Sequence, residues 1–188
     1  MKTSPLHGRM TGFTVTELVM VMTIIGILTA IGVPSFKYVT ASNRISSEIN
    51  ALLGDMQFAR SQAIKQGLTV TVCTSSDGAT CNTGGAGNTW NTGWIVFLDS
   101  NGDQQVNNGE QVIRAQPAFN STDTLQSMVS LAAVTYNRLG YAPTWNGQTI
   151  NIALKDANSL PVYTRCLAIT ASGSVSTEKA RAGNPVCN

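Results

Sequence analysis

Glu17 is the first residue of this chain whose chemistry demands an explanation. It is a lone carboxylate at the edge of Leu18–Phe36, nineteen residues without a charged side chain. At membrane depth an unpaired carboxylate costs roughly 2.5–3.5 kcal/mol, so Glu17 requires a cationic partner or a function. Four cysteines, Cys73, Cys81, Cys166 and Cys187, offer disulfides or thiolate ligands. Their separations contain no C-x-x-C, and the one histidine, His7, lies in the N-terminal leader, which argues against zinc. Three disulfide pairings are open; the separations favour Cys73 with Cys81 and Cys166 with Cys187. Asp99, Asn101, Asp103 and Glu110 echo a twelve-residue calcium loop, but Gln104 stands where such a loop turns on glycine and the flanks read as strands. A solvated polar hairpin is expected there, with no metal. Arg165, Lys179 and Arg181 are basic residues near the C-terminus that could meet phosphate. No G-x-S-x-G, P-loop or supported carboxylate pair occurs, so neither an enzyme nor a cofactor is expected.

The elements that must position these residues follow from patterning. The chain has 188 residues, 43% hydrophobic and only 12% charged, with a formal charge of +2. That composition excludes a disordered charged tail and a charge-rich coiled coil, and makes no case for a strongly basic nucleic-acid binder. Leu18–Phe36 is apolar all round rather than on one stripe, and as a helix it spans roughly 28 Å, close to a bilayer's hydrocarbon core. Lys2 and Arg9 lie in residues 1–16, which hold no acid, and this keeps the N-terminus cytoplasmic. No A-x-A site interrupts the passage into the next helical segment, so the run reads as an anchor rather than a cleaved secretory signal. After Pro34 the pattern becomes amphipathic. Ile45, Ile49, Leu52, Met56, Ala59 and Ala63 recur at helical steps, and Gly67 supplies the stop. From Leu68 onwards strands are expected at 69–73, 94–98, 111–115, 132–136, 149–154, 162–169 and 174–176, separated by Gly/Asn/Asp clusters. One helix followed by strands predicts an α+β fold, with the second half of the helix docked on an antiparallel sheet.

The leader and anchor carry a family resemblance. Gly12-Phe13-Thr14-Val15-Thr16-Glu17-Leu18 resembles the class III signal of type IV prepilins and type II secretion pseudopilins. The resemblance implies that a prepilin peptidase cuts between Gly12 and Phe13 and methylates the new amine. It also implies that Glu17 pairs with the N-terminal amine of a neighbouring subunit, and that Pro34 and Gly26 sit at the family's usual proline and glycine positions. An ammonium and a carboxylate buried together compensate each other's desolvation better than either could alone. The globular part looks like the FimT/GspH group of minor pilins. The matching residues are Ala59–Gly67, Val70–Cys73, Asp77-Gly78, Gly93–Phe97, Asn101-Gly102, Tyr136–Gly140 and Arg165–Ile169 before Gly173.

The resemblance implies three segments: a leader at 1–12, an apolar membrane and assembly half-helix at 13–41, and a periplasmic or extracellular pilin domain at 42–188. It implies a minor pilin of a type IV pilus, in a tip or initiation complex, with a secretion pseudopilin and a DNA-binding competence pilin as alternatives. The partners are then other pilins and minor pilins, the prepilin peptidase, and the bacterial inner membrane before export to the cell surface. Double-stranded DNA is the alternative partner. Cysteines oxidised to disulfides suit a domain outside the cytoplasm. Against DNA, the Gly-Arg-x-Arg element of DNA-binding FimT proteins reads Gly173-Ser174-Val175-Ser176 here, and without the leader the chain has ten basic and ten acidic residues.

Overall fold

The computed structural model describes residues 12–82, 88–107, 109–142, 147–180 and 187. Helix α1 spans Val15–Gln66, 52 residues. Two compact units divide within it, Met1–Thr40 and Ala41–Asn188. In the first unit every large apolar side chain from Phe13 to Val39 is exposed, and α1 is long and apolar enough there to cross a membrane. Thr23 and Thr29 turn their hydroxyls back on the helix, donating to Val19 O and Ile25 O at 2.6 and 2.9 Å. Hydroxyls satisfied in this way add little polarity to a lipid-facing surface.

In the second unit α1 buries Ile45, Ile49, Leu52, Met56, Ala59 and Ala63, the stripe that the 3.6-residue period predicts. Each large side chain on it contributes about 1.5–3 kcal/mol by leaving water. Gly67 ends the helix with φ of +68°, its N–H donating to Ala63 O at 3.0 Å.

Eight strands follow, β1 (Val70–Thr74), β2 (Gly93–Leu98), β3 (Val112–Pro117), β4 (Thr124–Ser127), β5 (Ala133–Tyr136), β6 (Ile150–Lys155), β7 (Arg165–Ile169) and β8 (Val175–Lys179). They form two four-stranded sheets, ordered β3-β2-β1-β5 and β4-β6-β7-β8, with all strand pairs antiparallel. Alternation decides which side chains meet α1. Val70, Val72, Trp94, Val96, Val134 and Tyr136 of the first sheet share one core with Ile150, Ile152, Leu154, Leu167 and Ile169 of the second and with the helical stripe. On the other face of the first sheet, Cys73, Ile95, Phe97 and Ala133 pack beneath Cys81 and Val106, so β1 is buried on both sides.

Two strand expectations change. No strand was expected at β4, whose one large apolar side chain, Leu125, is too weak a hydrophobic signal. Pairing with β6 makes it a strand. The run expected to begin at Val162 begins at Arg165, because Pro161 opens a 3₁₀ turn over Pro161–Tyr163 that closes with Thr164 N–H on Pro161 O.

Polar clips tie α1 to the sheets across long sequence separations. Asp55 accepts from Trp94 Nε1 at 2.9 Å and from Arg114 Nη1 at 2.8 Å, while the Arg114 guanidinium lies 3.7 Å above the Phe58 ring. Arg60 Nε donates to Gly140 O at 3.0 Å and Nη2 to Ser172 O at 3.2 Å, joining the turn after β5 to the turn before β8.

Candidate functional site

The N-terminal segment presents its chemistry openly. Gly12, Phe13 and Thr14 precede the helix as non-helical backbone, and Phe13 is 81% exposed. Thr14 caps α1: its Oγ1 accepts from Glu17 N–H at 3.2 Å and its carbonyl from Leu18 N–H at 3.1 Å. The S/T-x-x-E spacing of Thr14 and Glu17 is the signal that exposes this cap in the sequence. Only the backbone of Glu17 serves it. The Glu17 side chain is exposed within the apolar segment, and a carboxylate near a helix N-terminus is also favoured by the helix dipole. Pro34 lies inside α1 and exposed; it has no N–H to offer the carbonyl of Ala30. The leader residues Lys2, His7 and Arg9 lie outside the described residues.

Two disulfides close short loops. Cys73–Cys81 has a Cα–Cα distance of 5.6 Å and Cys166–Cys187 one of 5.5 Å. In the chain-entropy account loops of these lengths stabilise by about 3 kcal/mol each. Inside the first loop Asp77 accepts from the Thr80 hydroxyl at 2.6 Å and from Thr80 N–H and Ala79 N–H at 2.8 Å. These donors hold its carboxyl far below the usual carboxylate range. The second disulfide packs against Ala153.

The acidic loop between β2 and β3 brings oxygens of Asp99, Asp103 and Glu110 within 4.8 Å of one another. Asp99 is not solvated as a polar hairpin predicts. It is fully buried, accepting from Thr71 Oγ1 at 2.6 Å, from Gly102 and Asp103 N–H at 2.7 and 3.1 Å, and from Gln104 N–H at 3.1 Å. Gln104 adopts φ of +62°, the conformation for which glycine is favoured. Asp103, fully exposed, is held below its usual range first by Gln105 N–H. Asn101 donates to Asp103 and accepts from its backbone N–H, and Glu110 accepts from Ser100 and Asn107 N–H. The loop thus satisfies its own carboxylates.

Of the basic residues singled out near the C-terminus, the two described ones differ in exposure. Arg165 is buried, and its Nη1 donates to Val162 O and Thr164 O at 3.1 Å. Lys179 is exposed on β8, opposite Arg165 in register. Arg181 lies outside the described residues.

A family model described as Type II transport protein GspH matches residues 48–173, more than half of the chain. The chain belongs to the GspH family. Its fold matches the crystal structure of the Pseudomonas aeruginosa type IV minor pilin FimU in two crystal forms. One has 18% identity and a TM-score of 0.57 over 73% of this chain and 90% of FimU. The other has 17% identity and a TM-score of 0.51 over 75% and 92%. No curated protein matches in sequence. The GspH match begins within the buried part of α1 and ends at Gly173. It therefore takes in the Arg60 clamp and the Cys73–Cys81 bridge, and stops short of Cys187. The chain is thus a GspH-family protein with the α+β fold of a pilin.

Proposed function

We propose that this chain is a minor pilin, cut between Gly12 and Phe13 by prepilin peptidase, methylated on the Phe13 amine, and carried from the inner membrane into a type IV pilus as part of a tip or initiation complex. The observation that carries the reading is the coupling of a non-helical Gly12–Phe13 peptide to a capped helix with an exposed apolar surface and an exposed Glu17 carboxylate. An ammonium on Phe13 of a joining subunit is the complement that such a carboxylate does not meet among the described residues. Two disulfides in a long, decorated domain favour the pilus over a secretion pseudopilus.

Glu17→Ala tests the assembly role. The cap uses the Glu17 backbone, so the helix start survives the substitution. The variant should be processed and folded but at least about tenfold depleted from sheared, purified pili, as expected when a buried charge loses its partner. Wild-type amounts in that fraction would remove the pairing role, and absence of the wild-type chain from it would move the reading to the secretion system.

DNA is a weak partner in this reading. Arg165 is committed to carbonyl groups and the Gly173 element lacks both arginines. The fragment from Ser42 onwards should bind duplex DNA weakly, with a shallow salt dependence of about 0.9 per phosphate contact. A gel-shift titration at two salt concentrations reads this. Submicromolar binding abolished by Lys179→Ala/Arg181→Ala would make DNA reception the first choice.

A further inference from the structure

Between α1 and the 118–123 segment that crosses from the first sheet to the second, α1 presents Arg44 and Glu48 to Asp123 and to the Ser121 hydroxyl, respectively. Arg44 Nε and Nη2 donate to Asp123 Oδ2 and Oδ1 at 2.6 and 2.9 Å, and the Asp123 side chain is fully buried. One turn on, Ser121 Oγ donates to Glu48 Oε1 at 2.8 Å and itself accepts from Asp123 N–H at 3.4 Å. Glu48 Oε2 is shielded from solvent and receives no donor, and the Asp123 carboxylate is a neighbouring negative charge that disfavours ionising it. Two ionised carboxylates have no hydrogen to place between them. Asp156, just beyond β6, adds a further negative charge near Arg44.

We propose that Glu48 keeps its proton beside the Arg44–Asp123 pair, making Arg44, Asp123, Ser121 and Glu48 a pH-operated latch that fastens the sheet-to-sheet crossover to the helix. The proton resides on Glu48, because both Asp123 oxygens are engaged by Arg44 while Glu48 keeps one oxygen without a donor. Burial raises the Glu48 carboxyl first; the Ser121 hydroxyl opposes this, and the neighbouring Asp123 adds to it. With the proton in place, the guanidinium and the two carboxyl groups sum to zero charge. Without it, one uncompensated negative charge faces Asp156 as well. The latched segment carries Phe119, which meets Trp94 edge-on at 5.8 Å and donates its N–H to Asn91 O. Releasing the latch therefore loosens the cover of a core tryptophan.

The sign follows from linkage. Glu48 binds its proton more tightly in the folded chain than in the unfolded one. Its contribution is complete below the ordinary glutamate value of 4.5 and is lost as pH rises through the higher folded value. The test uses the full chain in detergent micelles, with thermal unfolding followed by tryptophan fluorescence between about pH 4.5 and about pH 8. Glu48→Gln keeps a donor in place at every pH. It should remove the fall in melting temperature that wild type shows across that window, and at the upper end melt about 2–4 °C above wild type. An unchanged pH slope, or a lower melting temperature than wild type at about pH 8, would overturn the latch. Carbon-13 titration of the wild-type Glu48 carboxyl decides it independently of any variant's folding. A midpoint above the ordinary glutamate range is expected, and a midpoint within that range overturns the proposal.

Discussion

Gly12→Val is expected to leave the leader attached to every copy of the chain. A Cβ at Gly12 meets nothing within 4 Å, so valine there disturbs no packing and the substitution isolates recognition by the peptidase. On the proposed reading the peptide after Gly12 is the one cut, and the isopropyl group of valine beside it is expected to clash in a peptidase site that takes glycine. Intact-mass spectrometry of membrane-extracted protein reads the outcome. Wild type should begin at Phe13, and the variant should keep its first twelve residues. A variant shortened at Phe13 would remove the leader assignment and with it the methylated amine that Glu17 is proposed to meet.

Gly173→Ala is expected to be the most damaging small substitution in the globular unit. Gly173 has φ of +76°, and a Cβ there collides with the carbonyl oxygen of Gly140, the same oxygen that accepts from Arg60 Nε. Backbone strain and the displaced clamp together should cost roughly 3–5 kcal/mol. Gly67→Ala is the control. Its φ of +68° is similar, but nothing lies within 4 Å of the added carbon, so only the left-handed conformation is penalised, by about 1–2 kcal/mol. Thermal unfolding followed by tryptophan fluorescence separates the two. Equal losses for both variants would show that contact between the two turns contributes nothing. The comparison also gives Gly173 a packing role in this chain, where the two arginines that follow the glycine in DNA-binding FimT proteins are replaced by Ser174 and Ser176.

Much of this architecture was legible in residue order alone. The helical stripe from Ile45 to Ala63 was readable because a helix has one period and a core needs one face. The apolar run after Glu17 was readable because a charge-free stretch of that length has few environments available to it. The runs around β1, β2 and β6 declared themselves through apolar, β-branched and aromatic side chains. The GspH/FimT resemblance was carried by short local strings such as Gly93–Phe97 and Tyr136–Gly140, which keep their meaning without a partner.

The remainder depends on groups far apart in the chain. Arg44 finds Asp123 across 79 positions, and Arg60 finds Gly140 and Ser172 across 80 and 112. No local pattern distinguishes these arginines from Arg114 or Arg138. Asp99 reads as a surface turn residue until β1 places the Thr71 hydroxyl beside it and the loop folds three N–H groups over its carboxylate. Arg165 reads as a free cation until the preceding 3₁₀ turn aims two carbonyls at it. β4 is a strand only because β6 supplies its hydrogen bonds. Hydrophobic periodicity is a property of neighbours in sequence, and so it survives being read from sequence. Whether a polar side chain is solvated, clamped or protonated depends on the donors and charges that folding brings to it.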